Sequence, residues 1–265
     1  MKLREAFSDL EALFAELPDV PCIACGLCCV TPHLTLVEFA YLLEGLLTQW
    51  SREELIDFVT RPMEPERRYP GNAKCRLQAE EKGRCRLYAH RPLMCRLEGL
   101  PVLDRMGIRS IEICPYIDER QMSRRVDAHE VDHWVQQAFD ISGRYYRVYE
   151  EPYWMTALNV ETWLALLLDP KITQRPVLAV RSQLLDSFDV AFLAPHYVDH
   201  TGFARQLNLI DCFFEEAEVR RRPRLAVEAL RRILGEFPNT GSYWQEEGRR
   251  YLEFMEDIIR NEGSS

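Results

Sequence analysis

The sequence has no long run of apolar residues. Its longest run, Trp163–Leu168, is bounded by Glu161 and Asp169, whereas a helix needs about 20 apolar residues to span a bilayer. Residues 1–21 also lack the apolar stretch of a secretory signal, because acidic side chains interrupt an amphipathic helical pattern. We therefore expect a cytoplasmic protein that has no membrane partner.

The sequence also lacks a glycine-rich phosphate loop, a Rossmann fingerprint and a nucleophile elbow. These absences argue against the common nucleotide-binding and hydrolase sites. The net charge is −9, although residues 61–109 contain twelve Lys and Arg against six Asp and Glu. Since the remainder of the chain is then −15, most of the surface would repel phosphate, and nucleic acid is not an expected partner.

Cysteine is abundant, with nine residues, of which four lie within eight positions as Cys-x2-Cys-x2-Cys-Cys. A lone buried cysteine is commonly a small hydrophobic residue, but thiols this close together are typical of metal ligands. Reduced structural thiols or disulfides are the alternatives, and disulfides need an oxidising compartment. Cys212 stands alone, whereas the other eight make two sets of four. The predicted metal ligands are Cys22, Cys25, Cys28, Cys29, Cys75, Cys85, Cys95 and Cys114.

Two kinds of metal centre remain open for these thiols. The Cys-x2-Cys-x2-Cys spacing is similar to the run of bacterial ferredoxins, whose last ligand precedes proline as Cys114 precedes Pro115 here. Zinc sites more often separate two Cys-x2-Cys pairs by a longer loop. Adjacent Cys28 and Cys29 point their side chains in different directions, so we expect them to serve different metal atoms or sites. We therefore prefer an iron–sulfur cluster, such as a 4Fe–4S cluster, with zinc as the alternative.

Basic residues flank several of these cysteines directly. Nearby cations lower the pKa of a thiol and stabilise the negative charge of a thiolate-ligated metal. An ordinary solvated basic loop is the alternative interpretation. The flanking residues are Lys74, Arg76, Arg84, Arg86 and Arg96.

Two segments together resemble a known family. The run Cys22-Ile-Ala-Cys25-Gly26-Leu-Cys28-Cys29, with Gly83–Tyr88 and Arg91–Arg96 downstream, is similar to the signature and closing segment of the YkgJ-type CxxCxxCC proteins, a zinc- or iron-chelating family. The resemblance implies a metal or iron–sulfur centre in an irregular cysteine-rich domain, with Cys75 and Cys114 completing the ligand set. One branch of this family resembles FliB-type flagellin lysine N-methylases, so a distant relation to that branch is implied as well.

A proline beside the last of these motifs predicts a short helix. Pro92 fixes φ and suits the first turn of a helix that would carry Cys95 towards the centre. Arg91 and Arg96 are expected to donate hydrogen bonds to sulfur or to a carboxylate that orients this turn. Tyr88 is a further candidate donor, with a plain core aromatic as the alternative.

A third motif, His129-Glu130-Val131-Asp132-His133, matches the zinc metallopeptidase pattern, in which the glutamate activates a zinc-bound water. The apolar residues of the same helix lie on the face opposite both histidines, so we expect exposed histidines here and keep the peptidase only as an alternative. Glu150 and Glu151 are the nearest candidates for a third ligand, and His196 and His200 form a second pair one turn apart.

The helical period predicts a mainly α fold, in which an irregular cysteine-rich segment packs on a helical C-terminal half. We expect a cysteine-cluster region at 1–120 and a helical region at 121–265, either as separate regions or as one continuous domain. Ser51 is expected to cap a helix with Glu54, and Tyr145–Tyr149 to form a short strand. After an opening helix, the predicted helices are 34–47, 51–59, 123–140, 153–168, 176–193, 202–219, 223–236 and 242–260.

Two functions are consistent with this organisation. An open or exposed centre would make the protein a cluster-dependent redox or modifying enzyme, which acts on an unidentified protein partner or substrate in an adjoining pocket. A saturated and buried centre would instead be structural zinc, and the helical half would then bind a partner.

Overall fold

The computed structural model describes residues 3–20, 22, 26, 29, 31–62, 74–79, 85–100, 102–103, 126–145, 157–172 and 175–200, with isolated helical positions at 227, 231, 252, 253, 256 and 260. Helix predominates in this part of the chain, which confirms the mainly α prediction. Its helices are α1 (Leu3–Glu16), α2 (Leu36–Gln49), α3 (Arg52–Thr60), α4 (Leu93–Leu97), α5 (Ala128–Tyr145), α6 (Val160–Leu168) and α7 (Arg175–Ser187), with 3-10 helices at Tyr88–His90 and Ala191–His196. None of these helices is both long and apolar enough to cross a membrane.

The described residues also contain two small strand pairs. β1 (His33–Leu34) runs antiparallel to β4 (Leu158–Asn159), with His33 opposite Asn159. β2 (Val102–Leu103) runs parallel to β3 (Val126–Asp127). The β1–β4 pair joins the segment that follows the first cysteine run to the start of α6.

The opening helix buries one face of its amphipathic pattern. This face packs against α2 and α5, and an ion pair of 3.1 Å between Arg144 and Asp9 joins α5 to α1. Spacings of three and four residues put the buried side chains on one side of the helix. They are Ala6, Phe7, Leu10 and Leu13.

α2 and α3 begin with the same arrangement of side chains. In α2 the Thr35 hydroxyl accepts the Glu38 N–H, and the Glu38 carboxylate accepts the Thr35 N–H at 2.8 Å. In α3 Ser51 and Glu54 form the equivalent pair, also at 2.8 Å. Each such capping box satisfies two backbone N–H groups. The predicted Ser51 cap is therefore confirmed, and the Thr35 cap is an addition to it.

The core runs from α1 and α2 into α6 and α7. Phe39 of α2 stacks on Trp163 of α6 with 5.6 Å between ring centroids, and the Trp163 indole N–H donates to the Leu34 carbonyl at 2.9 Å. Every residue of α6 is buried. The described core therefore includes side chains from both sides of residue 121, while the predicted division at that point stays a prediction.

Several predicted helices are present with shifted ends. The helix expected at 123–140 is α5, which begins at Ala128 because Asp127 and Glu130 cap it reciprocally. The helix expected at 153–168 is α6, which begins only at Val160. Its start is fixed by the Asn159 side chain, which accepts the Thr162 N–H at 2.8 Å.

The helix expected at 176–193 is wrong in its last third. α7 ends at Ser187, and a 3-10 helix that contains Pro195 follows. Tyr145, predicted to open a strand, is instead the last residue of α5. The rest of that strand and the helices predicted beyond residue 202 lie outside the described residues, apart from the isolated helical positions.

Candidate metal centre

Five of the eight predicted ligands lie in the described part of the chain. Cys22 is exposed, and the other four are partly buried. The remaining predicted ligands, Cys25, Cys28 and Cys114, lie outside the described residues, as does Cys212. The described residues therefore show two parts of the predicted ligand set, one in the first cysteine run and one in the segment from 75 to 95.

The first cysteine run turns at Gly26. Its φ of 73° is in the left-handed region that glycine adopts at no steric cost, and its carbonyl accepts the Cys29 N–H at 3.3 Å. The same carbonyl accepts the Gln78 side-chain amide at 3.3 Å, and the Cys29 carbonyl accepts the Cys75 N–H at 3.1 Å. The two cysteine segments are thus joined by hydrogen bonds to the backbone of the first run.

The second segment is a pair of tight turns around Cys75 and Cys85. Gln78 forms an antiparallel bridge with Cys85, and the Arg86 N–H donates to the Leu77 carbonyl at 2.7 Å. The Gln78 N–H donates to the Cys75 carbonyl at 3.1 Å, and the backbone of Leu77 and Gln78 lowers the pKa of the Cys75 thiol. Donors aimed at sulfur stabilise the thiolate, which is the form that binds metal.

Burial nevertheless dominates the electrostatics of these thiols. It raises the pKa of Cys75 to about 12 and raises the pKa of Cys85 and Cys95 as well. The charges of Cys75 and Cys85 raise the pKa of Cys95 further. A bound cation would favour the ionised form of thiols whose pKa is raised by burial and by neighbouring thiols.

A tripeptide repeat contains the three cysteines of the second segment. The sequence analysis did not use this signal. Cys75-Arg76-Leu77, Cys85-Arg86-Leu87 and Cys95-Arg96-Leu97 recur at intervals of ten residues. Each leucine is at most 5% exposed. The leucines therefore anchor the three turns in the core and position the neighbouring cysteines.

The three arginines of this repeat fasten the turns to different elements. Arg76 donates to the Phe58 carbonyl at the end of α3 at 2.7 Å. Arg86 lies over the Trp50 ring at 3.9 Å and pairs with Glu54 at 2.6 Å. The Arg96 guanidinium lies 4.0 Å from the centroid of the Phe14 ring in α1. These contacts are more specific than those of an ordinary solvated basic loop.

Arg91 and Arg96, which were expected to donate to sulfur or to a carboxylate, donate to backbone carbonyls. Arg91 bonds the Tyr88 carbonyl at 3.1 Å and the Cys95 carbonyl at 3.4 Å, with its guanidinium 3.5 Å from the Tyr88 ring centroid. Arg96 bonds the Ala89 and Arg91 carbonyls at 2.6 and 2.8 Å. Short helical segments leave such carbonyls unpaired. The positive charge of Arg91 still lowers the pKa of Cys85 and Cys95.

A carboxylate that the sequence reasoning did not single out holds the Cys95 helix. Pro92 is the N-cap of α4, as expected for a proline at this helix start, and the N–H of Leu93 donates to Glu38 at 2.7 Å. Burial raises the pKa of Glu38, whereas its hydrogen bonds from Thr35 and Leu93 lower it. Glu38 therefore caps α2 and α4 together and links the Cys95 turn to the core.

The histidines of both predicted pairs lie on the surface. His129 and His133 are exposed, as the helical pattern predicts, and the His133 Nε2 lies 3.0 Å from the Gln137 side-chain amide. Glu130 accepts the Asp127 N–H at 3.1 Å, so its carboxylate serves as a helix cap. His196 and His200 are also exposed, and His200 lies 2.9 Å from the Thr60 carbonyl. Glu150 and Glu151 lie outside the described residues.

The donor chemistry fits a thiolate-bound metal. Soft thiolates select zinc and iron–sulfur clusters, and backbone N–H bonds with nearby cations support both. Within the described residues, no group of three or more His, Cys, Asp or Glu side chains is placed to hold a metal ion. The predicted set also draws on Cys25, Cys28 and Cys114, which are not among those residues.

The fold and the site define a mainly helical protein with a cysteine-rich metal-binding segment. Residues 21–115 match the CxxCxxCC family, described as "Putative zinc- or iron-chelating domain". This match confirms the resemblance read from the sequence, includes all eight predicted ligands and covers a little more than a third of the chain. It supports chelation of zinc or iron alike. No significant match to this chain was found among curated proteins or solved structures.

Proposed function

We propose that this protein holds an iron–sulfur cluster through thiolates of the first cysteine run and of the Cys-Arg-Leu repeat. The observation that carries the proposal is the hydrogen bond of 3.1 Å from the Cys75 N–H to the Cys29 carbonyl, which joins the two cysteine segments. The charge of Cys85 also raises the pKa of both Cys75 and Cys95.

The choice of a cluster rests on the arrangement of the thiols. Their number does not decide it, because eight thiolates make two sets of four, and four is the number that one zinc ion or one 4Fe–4S cluster takes. Cys28 and Cys29 are adjacent, so both are poorly placed to bind one ion. The guanidinium of Arg91 near Cys85 and Cys95 would offset the negative charge of a thiolate-bound cluster. When bound, such a cluster supplies electron transfer or the activation of a substrate.

Structural zinc is the second candidate. The desolvation that raises the pKa of the Cys75 and Cys95 thiols suits a saturated centre that contributes folding energy. In that case the helical part after residue 121 is a partner-binding module, and the protein is not a redox enzyme.

Metal analysis of anaerobically purified protein distinguishes the two candidates. The cluster predicts a coloured protein with broad visible absorbance and with iron and sulfide in equal amounts. A colourless protein with stoichiometric zinc and without iron would contradict the cluster and support structural zinc. A protein that carries neither metal after reconstitution with each would overturn metal binding itself.

A pair of single variants tests whether adjacent thiols serve different metal atoms. Cys28→Ser and Cys29→Ser are expected to lower metal content to different extents and to change the visible spectrum differently. Atomic absorption and absorbance spectra of both variants provide the measurement. Equal loss of one mononuclear metal in both variants would show that the two thiols do not serve separate atoms.

A further inference from the structure

A cluster of buried polar atoms lies beside the Cys75 turn. Glu161 in the first turn of α6 pairs with Arg76 at 3.3 Å, and only 3% and 6% of their side chains are exposed. Of the five buried side-chain polar atoms without a hydrogen-bond partner in the described residues, four belong here: Thr31 Oγ1, Arg76 Nε and both Glu161 oxygens. Buried charges with few hydrogen bonds are costly, so their presence calls for a specific role.

Glu161 lies between the two cysteine segments. Arg76 directly follows Cys75, and Thr31 is the second residue after Cys29. Arg76 contacts the Glu161 carboxylate at 3.3 Å. Burial raises the pKa of Glu161, whereas the charge of Arg76 and the Thr31 hydroxyl lower it. One carboxylate of α6 therefore faces a residue from each segment.

Two further contacts hold the same junction in place. Arg76 is fixed on its other side by the Phe58 carbonyl at 2.7 Å, so its guanidinium bridges α3 and α6. Leu34, shortly after the first cysteine run, accepts the Trp163 indole N–H at 2.9 Å and pairs with Leu158 in the β1–β4 ladder. The start of α6 is thus attached to both cysteine segments by independent contacts.

We propose that Glu161 is a positioning residue for the metal centre, which holds the Cys75 and Cys29 segments at the separation that ligation requires. This inference rests on the proposed metal-binding function and extends it to a residue outside the family match at 21–115. The helical part of the chain is then a component of the metal site. Supporting partners of metal ligands typically contribute 10- to 100-fold in affinity.

The decisive variant is Glu161→Gln, which keeps the shape of the side chain and removes its charge. We expect cobalt(II), used as the probe ion in the full-length protein, to bind about 10- to 100-fold more weakly. Its thiolate charge-transfer absorbance should also change, which a loss of stability alone would not cause. Circular dichroism at 222 nm checks that the helices remain.

A second variant protects the test against simple unfolding. Arg76→Met with Glu161→Met replaces the buried pair by apolar side chains, an exchange that is often neutral or stabilising for the fold. We expect the metal-free double variant to melt at or above the wild-type temperature and still to bind cobalt(II) at least 10-fold more weakly, a loss on the scale of supporting partners.

Asn159→Ala is the matched control, because it weakens the N-terminus of the same helix without changing the Arg76–Glu161 pair. It should lower the melting temperature and leave cobalt affinity and spectrum unchanged. Wild-type cobalt(II) affinity and spectrum in the double variant would overturn this inference alone. A loss of cobalt(II) affinity in Asn159→Ala equal to that in Glu161→Gln would do the same. A wild-type protein that binds no metal would overturn the proposed function as well.

Discussion

Replacement of Cys95 by serine is expected to weaken metal binding by about 100-fold or more, beyond the effect of losing a supporting partner. The Cys95 thiol is desolvated and responds to the charges of Cys75 and Cys85, and a serine hydroxyl is a poor ligand for the metals that thiolates select. Since metal binding stabilises only the folded protein, the thermal midpoint of the metal-exposed variant should fall to that of the chelator-treated wild type. Metal stoichiometry and calorimetry measure both effects.

Cys212→Ser is the control for this experiment. Cys212 is the one cysteine outside the predicted ligand set, so its variant should retain wild-type metal content and the same stabilisation by metal. Cys95→Ser protein that retains the wild-type amount of metal and the wild-type midpoint would exclude Cys95 as a ligand. Loss of metal in both variants would show that the effect comes from general damage by cysteine substitution.

The helices and the CxxCxxCC motif are the features that local sequence predicts best. α3 follows from Ser51, Glu54 and an apolar period within nine residues, and the exposure of His129 and His133 follows from the helical period of α5. Such signals lie within one or two helical turns, where side chains interact through the local backbone alone.

The contacts that hold the cysteine turns in place could not be predicted in this way. Glu38 meets Leu93 across 55 positions of sequence, and Trp163 meets Leu34 across 129. Nothing in the local pattern of either residue specifies its partner, because tertiary packing decides which buried donor meets which acceptor. In the sequence, Glu161 is only the charged boundary of an apolar run. In the fold its carboxylate is buried beside Arg76, the residue that follows Cys75.

The Cys-Arg-Leu repeat lies between these two cases. Its interval of ten residues matches neither the 3.6-residue period of a helix nor the two-residue period of a strand, so an analysis of secondary structure passes over it. The same interval is regular enough to be seen in the sequence as three copies of one tripeptide, two in turns and the third in α4. In the fold, each leucine of the repeat is buried in the core, and Arg76, Arg86 and Arg96 contact other elements.

Glu38→Ala is expected to destabilise the protein more than any other removal of a helix cap in the described residues. The carboxylate accepts the Thr35 N–H at 2.8 Å and the Leu93 N–H at 2.7 Å, both in buried surroundings. Each buried N–H left unpaired costs about 1–3 kcal/mol, so the expected decrease in the free energy of unfolding is about 2–6 kcal/mol. Glu38→Gln should lose less, because the carboxamide oxygen still accepts one of these bonds. Urea denaturation of chelator-treated protein measures the effect of each change on folding alone.

Ser51→Ala separates the two roles of Glu38, because the Ser51 hydroxyl accepts the Glu54 N–H in an exposed setting and the variant keeps the pair of Glu54 with Arg86. Its decrease in the free energy of unfolding should be much smaller, since water replaces the missing acceptor there. Glu38→Ala should in addition weaken metal binding, because Leu93 opens the short helix that carries Cys95, whereas Ser51→Ala should leave metal affinity nearly unchanged. Equal losses of stability in the two alanine variants would mean that Glu38 acts only as a local cap of α2, and that its bond to Leu93 does not hold the Cys95 turn.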